Sequence, residues 1–374
     1  MKIVINTAHQ RFGGAVQVAL SFIHECRHFP EHEYHVFVGE GISKSLDKSV
    51  FPKNFFFYDF SFGVIGLLTI PFIQKTLRKY ERQICPDCMI STSGPTYYRS
   101  LAPQIIGFNL PLYIYPESPY VKQIAGIKRL KFEVKKFLHY YFFKRDASAY
   151  VVQTDDVNQR VQSALGSSKV FTVSNTYSDY YINPEKFTLK LDKEAKHVFR
   201  LLTLSAYYPH KNIEIIPNVI EELLALGIHD FQFVVTLDTA SFNKIKREKF
   251  KKYLINVGPV PPAECPVLYH ECDAMFLPTL AECFSASYPE AMIMKKPIIT
   301  TDLGFARSIC GDAALYFNPM DAKEAASKIM QCIQSKNMRD SLIQCGLQQL
   351  KNFDSPQKRA EKYLALCAQF SIVN

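Results

Sequence analysis

Twelve short β-prone runs, almost free of charge, alternate with helical stretches along the whole chain, and nothing else in the sequence limits the fold as tightly. KIVINTA, YHVFVG, FFFYDFS, MISTS, QIIGF and AYVVQT occupy the first half; RLLTLSA, FQFVVTLD, LINVG, AMFLPT, PIITTD and ALYFN occupy the second. A strand with one wet face alternates polar and apolar residues. Continuous apolar runs between helices instead indicate parallel sheets covered on both faces. Two such series predict an α/β chain of two Rossmann-like, doubly wound domains facing each other across a cleft. The length, 374 residues, is ample for two cores. We place an acceptor-side domain at 1–185, a donor-side domain at 186–355 and a final helix, 356–374, packing back on the first. The stretch 181–200 is charged, carries a proline and reads as the linker. The final helix has Ser355 as N-cap and Pro356 at its first position.

At 48% hydrophobic and 21% charged residues, the chain is globular rather than disordered. The opening MKIVINTAHQ has too short an apolar run for a secretory signal and reads as a first buried strand. The most apolar segment, 55–73, is broken by Asp59 and Pro71, so we expect a strand and a core helix there rather than a membrane span. The ten cysteines lack framework spacing and are expected to be reduced thiols in a cytoplasmic protein. Cys85 and Cys88, in CPDC, have no second such pair and read as a turn before a strand. A net charge of +9 suits an anionic partner, and no zinc-finger or RNA-binding signature makes that partner nucleic acid.

Ligands of such sheets collect beyond the strand ends, so the loops there carry the chemistry. In PTLAECFSASYPEAM, residues 278–292, a strand runs through a small-residue loop into a helix from about Ser287. Unpaired amides at that helix start favour an anion, and Glu282 and Glu290 can accept hydrogen bonds from sugar or ribose hydroxyls. The same pattern also fits a plain helix start with Glu290 against the dipole. In LSAYYPHKN, residues 204–212, Lys211 can neutralise a diphosphate, or be an ordinary exposed lysine. Arg11-Phe12-Gly13-Gly14 permits close backbone approach after the first strand, or is a simple turn. Neither GxGxxG nor GxxxxGK[ST] occurs, which disfavours dinucleotide and P-loop readings. No Asp-x-Asp occurs to hold a divalent ion on a diphosphate, so no metal or other cofactor is expected.

Together these residues resemble glycosyltransferase family 4, of GT-B architecture, over essentially the whole chain and most densely from about 200 to 320. Glu282, Phe284, Glu290 and Ala291-Met292 match its E-x7-E element. KKPIITTDLGFARSICGDAALYFNPMDAKEAASKI matches its helix–strand–turn–strand run, and GGAVQVAL its first glycine loop. The resemblance implies a retaining transferase using a nucleotide-sugar donor. Glu290 would bind the donor ribose, Glu282 the donor sugar, and Lys211 the diphosphate. Amides of Phe284, Ser285 and Ala286 would cradle the anion, Gly13 and Gly14 would approach the donor from the other domain, and Val260 and Pro261 would wall the base. Three departures stand out. Ala206 stands where the phosphate arginine is expected, so either His210 or Arg11 supplies the charge or activity is weakened. Cys283 and Ser285 replace loop glycines. Asn109 is the nearest match to a histidine after the fifth strand and, unlike histidine, can only orient hydroxyls, with Glu117 as a fallback base.

Residues 122–145 carry eight Lys or Arg and one acid, Glu133, with Ile127, Leu130, Val134, Phe137, Leu138 and Tyr141 at helical spacing. This pattern fits a helix lying on an anionic membrane surface, or a core helix with a solvated basic face. It points to a glycan or lipid-linked acceptor at the inner face of the membrane. Two rivals remain: a sugar-nucleotide epimerase of similar build, and a non-catalytic sugar-nucleotide-binding subunit. A nicotinamide oxidoreductase lacks its glycine fingerprint.

Overall fold

The computed structural model describes residues 1–371 apart from 12, 183–187 and 193–197. Phe12 and much of the expected linker therefore lie outside the described residues. The chain forms two compact units. The first comprises Met1–Ile114, Ile124–Asn175 and the chain from Asp354 onward; the second comprises Tyr115–Gln123 and Thr176–Phe353.

In the first unit seven strands are ordered β3-β2-β1-β4-β5-β6-β7, all parallel. They are β1 (Lys2–Asn6), β2 (Glu33–Val38), β3 (Phe55–Asp59), β4 (Cys88–Ser91), β5 (Gln104–Gly107), β6 (Ala149–Val152) and β7 (Val170–Thr172). Six match the sequence reading; β7 does not appear there. The helices α1 (Gly14–Glu25), α2 (Ile70–Ile84), α3 (Gly126–Asp146) and α4 (Asp155–Leu165) belong to this unit. One face of the sheet buries Ile3, Ile5, Val36 and Ile90 with Phe22 and Ile23 of α1. The other buries Val4, Phe37 and Met89 with Ile73 and Leu77 of α2. Alternate residues of β1 thus point into different cores, which is why its sequence shows no polar alternation.

The second unit has six parallel strands ordered β10-β9-β8-β11-β12-β13. They are β8 (Phe199–Thr203), β9 (Phe231–Val235), β10 (Leu254–Asn256), β11 (Ala274–Leu277), β12 (Ile298–Thr301) and β13 (Ala314–Phe317), all in the expected runs. The helices α5 (Ile216–Ala225), α6 (Ser287–Ile293) and α7 (Ala322–Gln334) are part of it. Phe233, Phe276 and Phe317 meet Val219 and Ile220 of α5 and Ile329 of α7 in its core.

The last helix, α8 (Pro356–Phe370), is capped by Ser355, whose hydroxyl accepts from the Lys358 amide at 3.2 Å. Tyr363 packs edge-on to Phe22 of α1, and the buried Arg359 donates to Asn175 and to Ser21.

Three local readings change. The 55–73 segment yields β3, but no core helix follows at once. Residues 60–69 form a loop, and α2 starts at Ile70, with Leu67, Leu68 and Phe72 exposed. The 122–145 stretch is not one helix: Ala125 is extended and Gly126 left-handed, so α3 starts at Gly126 and Lys122 ends a separate short helix, Pro119–Lys122. Residues 115–123, expected in the first domain, fold with the second unit. The CPDC pair is unpaired: Cys85 is an exposed left-handed C-cap of α2 and Cys88 is buried in β4.

Candidate functional site

Strand order reverses between β8 and β11 in the second unit, and such a reversal opens a crevice at the carboxyl ends of the strands. The loops leaving those strands are 204–212 and 278–286, the two segments with the strongest chemical signals. Pro209 seeds a short turn, Pro209–Lys211, and Asn212 in the left-handed region closes it. The Leu280 amide donates to the His210 carbonyl at 2.7 Å and clasps the loops together. The Lys211 ammonium donates to the Glu282 carboxylate, which also accepts from the buried Thr279 hydroxyl at 3.2 Å. The two charged side chains retain 16% and 12% of their exposure, so the pair is largely withdrawn from water yet reachable by a ligand.

Beyond Glu282 the chain runs through Phe284, Ser285 and Ala286. Among the described residues, their backbone N–H groups donate no hydrogen bond. Ala286 caps α6 without a side-chain bond. Orphan amides two to four positions beyond the carboxylate that pairs with Lys211 suit an anion. Phe284 is held edge-on to Phe353 at 5.8 Å, and Ser285 is buried.

Glu290 lies one turn into α6. The Tyr269 hydroxyl donates to it at 3.4 Å and Tyr181 also bonds to it. Burial pushes its carboxyl up to about 7, against the opposing hydrogen bonds from the two tyrosines. Near neutral pH it is therefore poised between acid and carboxylate.

Burial lowers the pKa of His210, with Glu282 opposing, and its ring stacks on Tyr208 at 5.7 Å. A neutral imidazole can hydrogen-bond but does not replace the charge missing at Ala206. Arg11 belongs to the first unit and is bound to Glu40 at 3.3 Å. Val260 is half-buried and Pro261 exposed, beyond β10, which β9 separates from β8. Glu117 is exposed in the segment that the second unit takes from mid-chain. Its neighbour Ser118 is buried and donates to the Leu280 carbonyl at 2.7 Å.

Asn109, Gly13 and Gly14 lie in the first unit. Asn109 is half-buried just past β5. Gly13, at φ 83 and ψ −167, occupies a region that essentially only glycine adopts. A Cβ on Gly14, the first residue of α1, would meet nothing within 4 Å.

The sequence reading missed several residues. Thr279 could have been found, because it ends the run AMFLPT directly before the loop. Tyr181, Tyr269 and Ser118 carry no local signal. It also missed a polar cluster at the first unit's own reversal, between β1 and β4. The His9 Nε2–H donates to the Ser93 carbonyl at 2.8 Å, and burial pulls its pKa down to about 4. The ring is neutral, with Nδ1 left as a buried acceptor. Among the described residues, neither His9 Nδ1 nor Asn6 Nδ2 has a partner.

Residues 198–335 match the family described as "Glycosyl transferases group 1". The O-antigen chain mannosyltransferase RfbU of Salmonella typhimurium is 25% identical over 231 residues, covering 59% of this chain and 57% of that protein. The chain's matches span between 27% and 57% of the length of the curated relatives. Among solved structures, sucrose-phosphate synthase from Thermosynechococcus elongatus superposes with a TM-score of 0.77 at 12% identity, over 99% of this chain and 98% of the other. HepE of Anabaena, solved with UDP and glucose, gives 0.71 at 14% identity over 98% and 99%. At such identities the structural likeness establishes the fold, which is GT-B.

Proposed function

We propose that this chain, a member of the group 1 glycosyltransferases, moves a sugar from a nucleotide-diphosphate donor to an acceptor hydroxyl in cell-surface polysaccharide or glycolipid synthesis. The observation that carries the proposal is the Lys211–Glu282 pair beside the unpartnered amides of residues 284–286, at the sheet reversal. Lys211 and those amides receive the diphosphate and stabilise it as it leaves, a task that preorganised donors perform at little reorganisation cost. Glu282 receives hydroxyls of the donor sugar and Glu290 those of the ribose. Val260 and Pro261 flank the base. Retention of configuration is what the resemblance to family 4 implies.

On the acceptor side, Asn109 belongs to the unit whose buried Asn6 Nδ2 and His9 Nδ1 offer one donor and one acceptor to a polyol, while Gly13 and Gly14 of the same unit approach the donor. Glu117 remains the candidate base. The names of the relatives make a mannose nucleotide the first donor to try and UDP-glucose the second. The exposed apolar residues of α3, with its lysines, support a partner in an anionic membrane surface and a working place at the cytoplasmic leaflet. Among the described residues no helix is long and apolar enough to cross a membrane.

A screen of nucleoside diphosphates and their sugars for binding, then donor consumption with glycan and lipid-linked acceptors, tests the proposal. Binding with acceptor-dependent turnover, unaffected by a chelator, is expected. Binding without turnover on any acceptor favours the non-catalytic subunit that Ala206 suggests. Absence of binding across the screen refutes both.

A further inference from the structure

The first unit exposes more apolar surface than α3 alone. Leu67 and Leu68, on the turn before α2, are exposed, Leu68 by 96%, and so is Phe72. This exposure is built in. Thr69 and Gly66 bond each other three times: Thr69 N to Gly66 O at 2.9 Å, Gly66 N to Thr69 Oγ1 at 3.0 Å, and Thr69 Oγ1 to Gly66 O at 2.8 Å. Phe72 is fixed edge-on to Phe62 at 6.1 Å. The tip is a stapled turn that presents two leucines to the outside.

Across from it, Ile127, Leu130, Val134, Phe137 and Tyr141 of α3 are all exposed. A groove of about 460 Å³ lies between the two elements, with Leu67 and Ile70 on one wall and Leu130, Val134 and Leu138 on the other. Lys131 and Lys135 also line it. An apolar patch of this extent on one face marks an interaction site.

Charge identifies the occupant. Helix α3 carries seven Lys or Arg and two acids, and both acids are already bound in place, Glu133 to Arg129 and Asp146 to Arg145. The apolar spacing of α3 would also suit pairing with a second α3, but a second copy would bring the same positive charge. An anionic lipid leaflet supplies apolar chains and opposite charge together.

We infer that the 64–72 segment and α3 form one two-pronged docking surface for an anionic bilayer. Leu67, Leu68 and Phe72 enter the acyl layer, the groove between the prongs takes hydrocarbon, and the α3 lysines meet the phosphates. The inference rests on the proposed membrane partner and adds the second prong, which nothing in the 122–145 stretch implies.

The chain contains no tryptophan, so Leu68→Trp and Phe137→Trp in the full chain each create a single reporter at an exposed position. With phosphatidylcholine vesicles containing phosphatidylglycerol, both should shift to the blue and be quenched by brominated acyl chains, and both should lose this signal without the anionic lipid. A shift at 137 with none at 68 overturns the second prong and leaves docking through α3 standing. No shift at either position overturns the membrane partner and the inference with it. A shift that follows protein concentration without vesicles identifies self-association and overturns the inference. Leu67→Asp with Leu68→Asp should weaken vesicle binding about ten-fold or more while donor binding is unchanged; unchanged vesicle binding counts against the prong.

Discussion

Replacing Lys211 by alanine separates the two roles its ammonium can have. In the free protein it neutralises Glu282, and with 16% and 12% of the side chains exposed the pair lies between the surface and buried limits. Breaking an exposed pair costs about 0–1 kcal/mol and a buried one about 3–5, so Lys211→Ala should cost about 2 kcal/mol of stability. Glu282→Ala should cost a similar amount. The double variant should lose clearly less than the sum, because neither charge is then left without its partner.

Binding should follow a different pattern. A hydrogen bond to a charged group contributes about 1.5–3 kcal/mol, so Lys211→Ala should weaken the nucleoside diphosphate identified in the screen roughly 10- to 150-fold. Glu282→Ala should not weaken a ligand that has no sugar. The double variant should bind as poorly as Lys211→Ala while recovering part of its stability. Urea unfolding and calorimetric titration of all four proteins give the two cycles. If affinity recovers together with stability in the double variant, or if Lys211→Ala alone changes affinity by less than about two-fold, the lysine is a structural ion pair and does not hold the diphosphate.

Three further outcomes follow from the same geometry. Glu290 has its carboxyl raised from 4.5 to about 7, so between those values the folded chain keeps a proton the unfolded chain has released. Stability should therefore fall by roughly 3 kcal/mol as pH rises through that window; Glu290→Gln should flatten the fall, as seen in melting temperatures from about pH 4 to 8, and donor affinity of the intact protein should decline below about pH 7. Gly13→Ala places a side chain at φ 83 and should cost about 1–3 kcal/mol, whereas Gly14→Ala, with open space around it, should be tolerated; urea midpoints of the pair check this. His9→Ala should raise the acceptor KM and leave nucleoside-diphosphate affinity unchanged, and an unchanged acceptor KM would remove His9 from the acceptor side.

What could be read from the sequence, and what could not, divides along a physical line. Strands buried on both faces must be apolar throughout, which made the central ones plain, and the edge strands β3, β10 and β13 were visible as apolar runs although they are only partly buried. β7 was not: it is a three-residue edge strand with only Val170 buried, a pattern it shares with β10, and nothing in the structure sets the two apart. The boundaries of the units were less legible: residues 115–123 join the second unit through Ser118 to Leu280 and Tyr115 against Phe305, contacts between distant positions that leave no periodicity. Tyr181 and Tyr269, which temper the rise that burial imposes on the Glu290 carboxyl, act from similarly remote positions.

Lys211 and Glu282 are also far apart in sequence, yet the pairing was foreseeable, because a rule of topology brings together the loops on either side of a sheet reversal. The same rule says why a mostly desolvated lysine can serve a transient ligand. Within the free protein its charge is balanced by Glu282, which Thr279 helps to hold in place. An arriving diphosphate offers more negative charge, and the amides of residues 284–286, which donate to none of the described residues, follow Glu282 closely along the chain and can share it. Exchanging one anionic partner for another leaves the ammonium paired throughout and avoids the several kcal/mol that exposing a lone buried charge would cost. A carboxylate freed in that exchange is then available to the sugar hydroxyls, so the ion pair of the resting protein is the arrangement from which both proposed contacts can form together.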